Sequence, residues 1–153
     1  QKNNFLVIED RKFSDICNTN LLQMDALKIK EYADIVISHA VSGFEFVKQC
    51  PLPTLLVAQL SNNNNLIDQT YTERCIKEAH NNKNIIGFIS QENLGYNKCI
   101  YCKPGIRLDT TTDSYDQKYS GKSNGIDYYI VGRGITQSDN INETTIFYKN
   151  NLQ

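Results

Sequence analysis

Thr54-Leu-Leu-Val-Ala58 and Asn84-Ile-Ile-Gly-Phe-Ile89, with the segment that joins them, decide the fold. Each is a continuous apolar run rather than an alternating one, the pattern of a strand buried on both faces. Between them, Thr72-Glu-Arg-Cys-Ile-Lys-Glu-Ala-His80 places Cys75, Ile76 and Ala79 at helical spacing. Strand, helix and strand in that order make a unit of a parallel sheet. The alternation recurs outward. Phe5-Leu-Val-Ile8, Asp34-Ile-Val-Ile-Ser38, Lys98-Cys-Ile-Tyr-Cys102 and Asp127-Tyr-Tyr-Ile-Val131 are further strand candidates. Ser42 to Cys50 is a short helical candidate that stops before Pro51. Ser138 to Lys149 is another, with a capping residue at its start and Ile141, Thr145 and Tyr148 on one face. The fold class is α/β.

The chain has 153 residues, enough for one domain with a core of its own. Apolar residues make up 40% and charged residues 22%, a globular composition. Sixteen basic side chains face 17 acidic ones, for a net charge of −1. That balance excludes nucleic acid or an anionic membrane as the main partner, because both select a basic excess. The tracts Asn62 to Asn65 and Asn81-Asn82-Lys83-Asn84 are short and polar and fit loop tips. No apolar run approaches the roughly 20 residues that span a bilayer. Gln1-Lys2-Asn3-Asn4 leads into only four apolar residues, which is not the pattern of a signal peptide. Cysteines at 17, 50, 75, 99 and 102 are odd in number and mostly set in apolar stretches, which fits a reducing, cytoplasmic setting. An opening Gln in place of Met suggests a piece of a longer product.

Polar residues gather where the strands end: Asp10 and Lys12, His39, Ser61, Ser90-Gln91, Lys103-Pro104 and Gly132-Arg133-Gly134. In a parallel sheet those carboxyl ends share one side, the active face of a (β/α) barrel or a doubly wound sheet. The last strand runs into Gly-Arg-Gly, where a backbone can approach closely and a guanidinium can fork onto a phosphate. A phosphorylated small molecule is the expected ligand.

Glu9-Asp10-Arg11-Lys12-Phe13-Ser14-Asp15 is the densest chemical group. Alternation sends Asp10 and Lys12 to one side of the strand end and Glu9 and Arg11 to the other. If the following turn is helical, Asp15 returns near Lys12. A lysine among carboxylates holds its proton, which makes it a general acid; the plainer reading is a solvated charge run. Cys99-Ile-Tyr-Cys102 is a lone CxxC and fits two thiols along a buried strand better than zinc or redox work. His39 fits a hydrogen-bonded structural residue, and His80 a cation at a helix end. Asn142-Glu-Thr144 matches a glycosylation sequon without meaning in a cytoplasmic chain. In the polar loop Tyr115-Asp-Gln-Lys-Tyr119, Gln117 and Tyr119 are candidate phosphate ligands.

Phe5-Leu-Val-Ile-Glu-Asp-Arg-Lys-Phe-Ser-Asp-Ile-Cys-Asn-Thr19 closely resembles the active-site segment of orotidine 5′-phosphate decarboxylases, of the kind found in fungi and in animal UMP synthase. The resemblance continues through Ala33 to His39, Leu60-Ser61, Tyr71-Thr72, Ile86 to Gln91, Pro104-Gly105, Gln117-Lys-Tyr119 and Ile130-Val-Gly-Arg-Gly-Ile135. Its DxKxxD core is shared with related sugar-phosphate enzymes, and the longer string is more specific. It implies a TIM barrel that decarboxylates orotidine 5′-phosphate to UMP in pyrimidine biosynthesis, with no metal and no cofactor. Lys12 would protonate C6, with Asp10 and Asp15 as its charged neighbours. Asp15 and Thr19 would reach the partner's site in a homodimer. Leu60 and Ser61 would meet the pyrimidine, Pro104 would line the pocket, and Gln117, Tyr119, Gly132 and Arg133 would hold the phosphate.

The chain departs from the family pattern at Cys17 (usually Gly), Gln59 (Glu), Lys103 (Thr), Asp116 (Gly) and Asn62 to Asn65, where a Lys/Gly/Ser loop is usual. The matching segment is the family's third barrel strand. Residues 1–153 are therefore expected to be a single, N-terminally incomplete domain holding strands 3–8, since a whole barrel needs at least about 200 residues. Two rival readings are a truncated remnant that retains only nucleotide binding or subunit association, and a related sugar-phosphate enzyme that needs magnesium.

Overall fold

The structure is a computed structural model that describes residues 4–109, 113–114 and 116–152. Gln1 to Asn3 and Tyr115, quoted above, lie outside the described residues. Six strands form one sheet: β1 (Ile8–Phe13), β2 (Ile35–His39), β3 (Thr54–Val57), β4 (Ile85–Ile89), β5 (Ile100–Lys103) and β6 (Tyr128–Tyr129). They pair in chain order, and every pairing is parallel. A doubly wound sheet reverses its strand order at a switch point. This one never does, so it is an arc of a barrel wall whose free edges are β1 and β6.

Among the described residues five α-helices lie between or after the strands: α1 (Cys17–Ala26), α2 (Glu45–Gln49), α3 (Gln69–Asn81), α4 (Arg133–Thr136) and α5 (Ile141–Leu152). Helix α3 begins where Asp68 Oδ1 accepts the Tyr71 N–H at 2.8 Å, and it buries Thr72, Cys75 and Ala79 on one face. Helix α2 starts at Glu45 rather than Ser42, because Gly43 sits at φ +89°, a left-handed backbone that a helix cannot continue through. Helix α5 starts after Asn140, whose side chain accepts the Glu143 N–H at 3.2 Å. The expected cap, Ser138, instead donates to the Ile135 carbonyl and closes α4. On α5, Tyr148 and Leu152 are buried while Ile141 and Thr145 stay exposed.

Alternation along the strands builds two cores. Val36, Leu56, Phe88 and Tyr101 face the helices, with Phe13, Met24, Phe46 and Cys75. Ile35, Ile37, Leu55, Val57, Ile89 and Cys102 face the concave side, which would be the lumen of a closed barrel. The CxxC thiols fall one in each core, as a three-residue step along a strand requires. Burial pushes Cys102 up to about 11 and raises Cys99, so neither is set up as a thiolate. Among the described residues no helix is long and apolar enough to cross a membrane.

Strand β1 differs most from expectation. The ladder runs Ile8 to Phe13 rather than Phe5 to Ile8, so the charged cluster is itself the strand. Among the described residues no strand pairs with the outer edge of β1 or β6, and Phe5 and Leu6 are mainly exposed.

Two substitutions test this packing. The Asn84 amide reaches the carbonyls of Val47 at 2.8 Å, Cys50 at 3.1 Å and Leu52 at 3.1 Å, closing the end of α2 onto β4. Asn84→Ala strands those acceptors and should cost about 1–3 kcal/mol in urea unfolding. A Cβ added at Gly87 would lie 2.4 Å from the Ile100 carbonyl oxygen and 2.9 Å from Leu55 Cδ2. Because a backbone oxygen cannot yield as a side chain can, Gly87→Ala should lower the unfolding free energy measured in urea by a comparable amount, about 1–3 kcal/mol.

Candidate active site

Lysine 12 is held in an unusual conformation. Its φ is +54°, and the β1–β2 register breaks between Glu9 and Phe13. A bulge of this kind re-aims a side chain at a strand end, and a left-handed non-glycine residue marks strain that its surroundings must support. Lys12 Nζ donates to Asp10 Oδ1 at 2.5 Å. Glu9, on the other side, accepts the Tyr32 hydroxyl. Asp10 and Lys12 thus share one side of the strand and Glu9 has its partner on the other, as alternation predicts for those three.

Asp15 does not join this pair through a helical turn. Helix α1 starts only at Cys17, and Asp15 Oδ1 accepts its neighbour's N–H, that of Ile16, at 2.7 Å. The turn is gripped by buried Asn20, whose amide donates to the Asp15 carbonyl at 2.7 Å and whose Oδ1 accepts the Asp15 N–H at 3.2 Å. Ser42 donates to the same carbonyl. Sequence reasoning passed over Asn20; a buried asparagine four residues into a helix looks like surface until its partners are known. Thr19 sits half-buried in the first turn of α1.

A cavity of about 360 Å³ opens beside Lys12, lined also by Ser14, His39, Val41, Leu60, Leu66, Ile67 and Tyr71. His39 thus belongs to the site. Burial first, and the Lys12 charge second, push its imidazole below the ordinary value, so it is neutral at neutral pH. Tyr71 accepts the Ala40 N–H at 2.7 Å and fixes the turn after β2. Burial lifts its hydroxyl to about 12, so it stays protonated.

A second, smaller cavity of about 180 Å³ is lined by Pro104, Gly105, Ile106, Gln117, Tyr119, Ile130, Gly132 and Arg133. The expected phosphate ligands therefore do converge. Gly105, at φ +74°, lets the chain pass so closely that a Cβ there would lie 2.8 Å from the Lys118 carbonyl and 2.9 Å from Ser61 Cβ. Arg133 pairs with Asp113 at 2.7 Å, and Tyr119 donates to that same carboxylate at 2.8 Å.

The two cavities are joined through adjacent residues. Leu60 lines the first, and Ser61 accepts a 2.5 Å hydrogen bond from Gln117, which lines the second. Lys118 N–H donates to the Ser61 carbonyl, and Asn62 bridges Gln117 in antiparallel fashion. Asn63 extends the clasp by donating to Asp116 Oδ1 at 2.8 Å. Asp116 itself sits at φ +58°, which explains why a glycine is usual there. Lys103 departs from the rule that strand-end polar groups meet at the site. It is 5% exposed, donates to Ser123 at 2.6 Å and takes no part in either cavity. Gln59 also turns aside, accepting from the Gln91 N–H and donating to Glu92.

These features can be set beside known proteins. The chain is 40% identical to a uridine 5′-monophosphate synthase of Caenorhabditis elegans, a match covering 88% of this chain and 31% of that protein. It is 37% identical to an orotidine 5′-phosphate decarboxylase of Cyberlindnera jadinii, over 88% of this chain and 59% of the relative. The chain thus spans about a third to three-fifths of these relatives' length. Among solved structures, an orotidine 5′-phosphate decarboxylase from Pyrococcus horikoshii OT3 superposes with a TM-score of 0.72 at 26% identity, covering 96% of this chain and 74% of that one. The enzyme from Methanocaldococcus jannaschii, solved with the inhibitor BMP, gives 0.70 at 22% identity over 98% and 75%, a likeness of fold. Both carry the barrel of which this sheet is an arc. With the family model matching residues 1–145, the chain belongs to the orotidine 5′-phosphate decarboxylase / HUMPS family.

Proposed function

We propose that this chain forms the catalytic face of an orotidine 5′-phosphate decarboxylase, producing UMP without a cofactor. The observation that carries the reading is the joined pair of cavities. An ion-paired lysine lines one, a Gln/Tyr/Arg cradle forms the other, and Leu60-Ser61 lies between. In this reading the C6–CO₂ bond breaks, CO₂ departs and the electron pair remains on C6. The Lys12 ammonium stabilises that charge as it develops and then transfers a proton from Nζ to C6. Lys12 is the one cation among the residues lining its cavity, since His39 is neutral. Asp10 orients the ammonium and adds negative potential beside the departing carboxylate. Binding energy from the phosphate, remote from C6, is available to the transition state.

The active form is proposed to contain two further strands that close the gap between β6 and β1. Along that gap an open trough of about 510 Å³ presents Leu6, Ile8, Ile35, Ile37, Leu55 and Tyr128. An apolar lumen left open at two strand edges is unfavourable in water and prone to pairing with other chains. A homodimer is proposed to bring Asp15 and Thr19 to the partner's site; Ile16, 63% exposed, and Val41, 70% exposed, supply apolar surface beside that turn. A cytoplasmic setting fits the five free cysteines.

The direct test is loss of orotidine 5′-phosphate absorbance with EDTA present, for this chain alone and for the chain joined to the N-terminal segment. Turnover in the joined form supports the reading, and dependence on magnesium would favour a related sugar-phosphate enzyme. No turnover in either form would leave a remnant. In the active form, Lys12→Ala should lower kcat by at least about 100-fold while leaving phosphate affinity within about twofold. Unchanged turnover in that variant would exclude Lys12 as the proton donor.

A further inference from the structure

Arg107 and the carboxylates of Asp109 and Asp113 have no part in the reading above, yet Arg107 and Asp113 touch the cradle's Tyr119, Asp113 pairs with its Arg133, and Asp109 pairs with Arg107. Arg107 lies on the segment leaving β5, tied down by its own N–H, which donates to the Ser120 carbonyl at 3.3 Å. Its guanidinium carbon stands 5.8 Å from the centre of the Tyr119 ring. The guanidinium carbon of Arg133 stands at the same distance, 5.8 Å. Both lie within cation–π range, so one tyrosine is shared by two guanidiniums.

Two cations gathered on one side chain need anions nearby. Arg107 has Asp109, with Nε 2.8 Å from one carboxylate oxygen and Nη2 3.2 Å from the other. Arg133 has Asp113, with Nη2 2.7 Å from Oδ2. That same Oδ2 accepts the Tyr119 hydroxyl at 2.8 Å. An oxygen bonded at once by Tyr119 and Arg133 occupies the place that a phosphate oxygen would take if those two residues are phosphate ligands.

We propose that Arg107 and Arg133 form a paired-guanidinium phosphate subsite around Tyr119, whose internal counter-ions Asp109 and Asp113 are displaced when phosphate binds. The inference rests on the assignment of Tyr119 and Arg133 as phosphate ligands and adds a second arginine and two competing carboxylates. The charges balance: a phosphate dianion can match the two guanidiniums as the two carboxylates do. The two counter-ions are unequal. The Asp109 side chain is 65% exposed, so its exchange for phosphate costs little. The Asp113 side chain is only 14% exposed, which makes it the stronger competitor and the group that sets the affinity. Recruitment of two guanidiniums favours a doubly charged phosphate monoester over a singly charged group.

The test is a titration of the whole chain with inorganic phosphate, followed by ³¹P NMR at fixed ionic strength and needing no turnover. Arg107→Ala should weaken phosphate binding about tenfold, the loss of a charged hydrogen bond. Arg107→Lys should recover part of it, because the charge stays while the fork is lost. Asp113→Asn keeps an acceptor for the Gln117 N–H, now 3.2 Å from Oδ1, and removes the competing charge. It should tighten phosphate binding about tenfold. Thermal melts of each variant establish that the fold persists, since the Arg107 tie to Ser120 runs through the backbone. Phosphate affinity unchanged in Arg107→Ala would overturn the paired site and leave Arg107 as a loop clamp. Unchanged or weaker binding in Asp113→Asn would overturn the counter-ion role. Arg133→Ala separates the two levels of inference. If it too leaves binding unchanged, the phosphate assignment itself fails; if it weakens binding while Arg107→Ala does not, only the pairing fails.

Discussion

Parallel pairing in chain order is the constraint on which the rest of this structure depends. Each strand hydrogen-bonds to the one before it, and each connection returns the chain to the same starting side. Every carboxyl end is therefore delivered to one rim. Lys12, His39, Leu60, Gly105 and Gly132 are far apart in sequence, yet they meet there because the ladder leaves them nowhere else to go. The same pairing leaves each strand except β1 and β6 with backbone partners on both sides. The central strands are also covered on both faces, by helices on one and by the concave core on the other, which is why they read as unbroken apolar runs.

The ladder also makes local strain affordable at the rim. Lys12 and Asp116 both hold left-handed backbones that side chains rarely adopt, and both lie in or beside the site. Each is over-determined by its surroundings. A parallel strand and a salt bridge hold Lys12, while Asn63 and the Ser61–Gln117 contact hold the Asp116 turn. The two half-sites are thereby coupled mechanically: residues 61–63, just beyond β3, are stitched to residues 116–118 by hydrogen bonds of backbone and side chain alike. A group bound at one cavity would meet a wall whose position the other cavity helps to set.

Electrostatics divides the rim in the same way. At the Lys12 end there is one cation, one carboxylate paired with it and a neutral histidine. At the other end the cations come as arginines, each already matched by an aspartate. A lysine suits proton transfer because its charge can be given up. A guanidinium suits anion holding because its charge cannot.

Much of this was legible in the residues themselves. Continuous apolar runs separated by a helical stretch announced a parallel sheet, since strands covered on both faces have no polar side to show. The Asp10–Lys12 pair followed from alternation alone, and the Glu-Asp-Arg-Lys string together with Gly-Arg-Gly carried the family. What failed were local extrapolations. The helical turn that would return Asp15 toward Lys12 does not form, because Asn20 and the Ile16 N–H hold that residue; Lys103, expected at the rim, is buried against Ser123. Arg107 and Asp113 gave no signal in the sequence, and His39, noted only as a structural residue at a strand end, lines the Lys12 cavity, because the significance of all three lies in what stands opposite them across the fold. The sequence by itself determined the α/β class, the succession of strands and helices along the chain and which side chains could do chemistry, since periodicity and residue type are local properties. Only the tertiary structure decided which of those side chains share a cavity and which anion faces which cation, because those are distances between segments that no local pattern encodes.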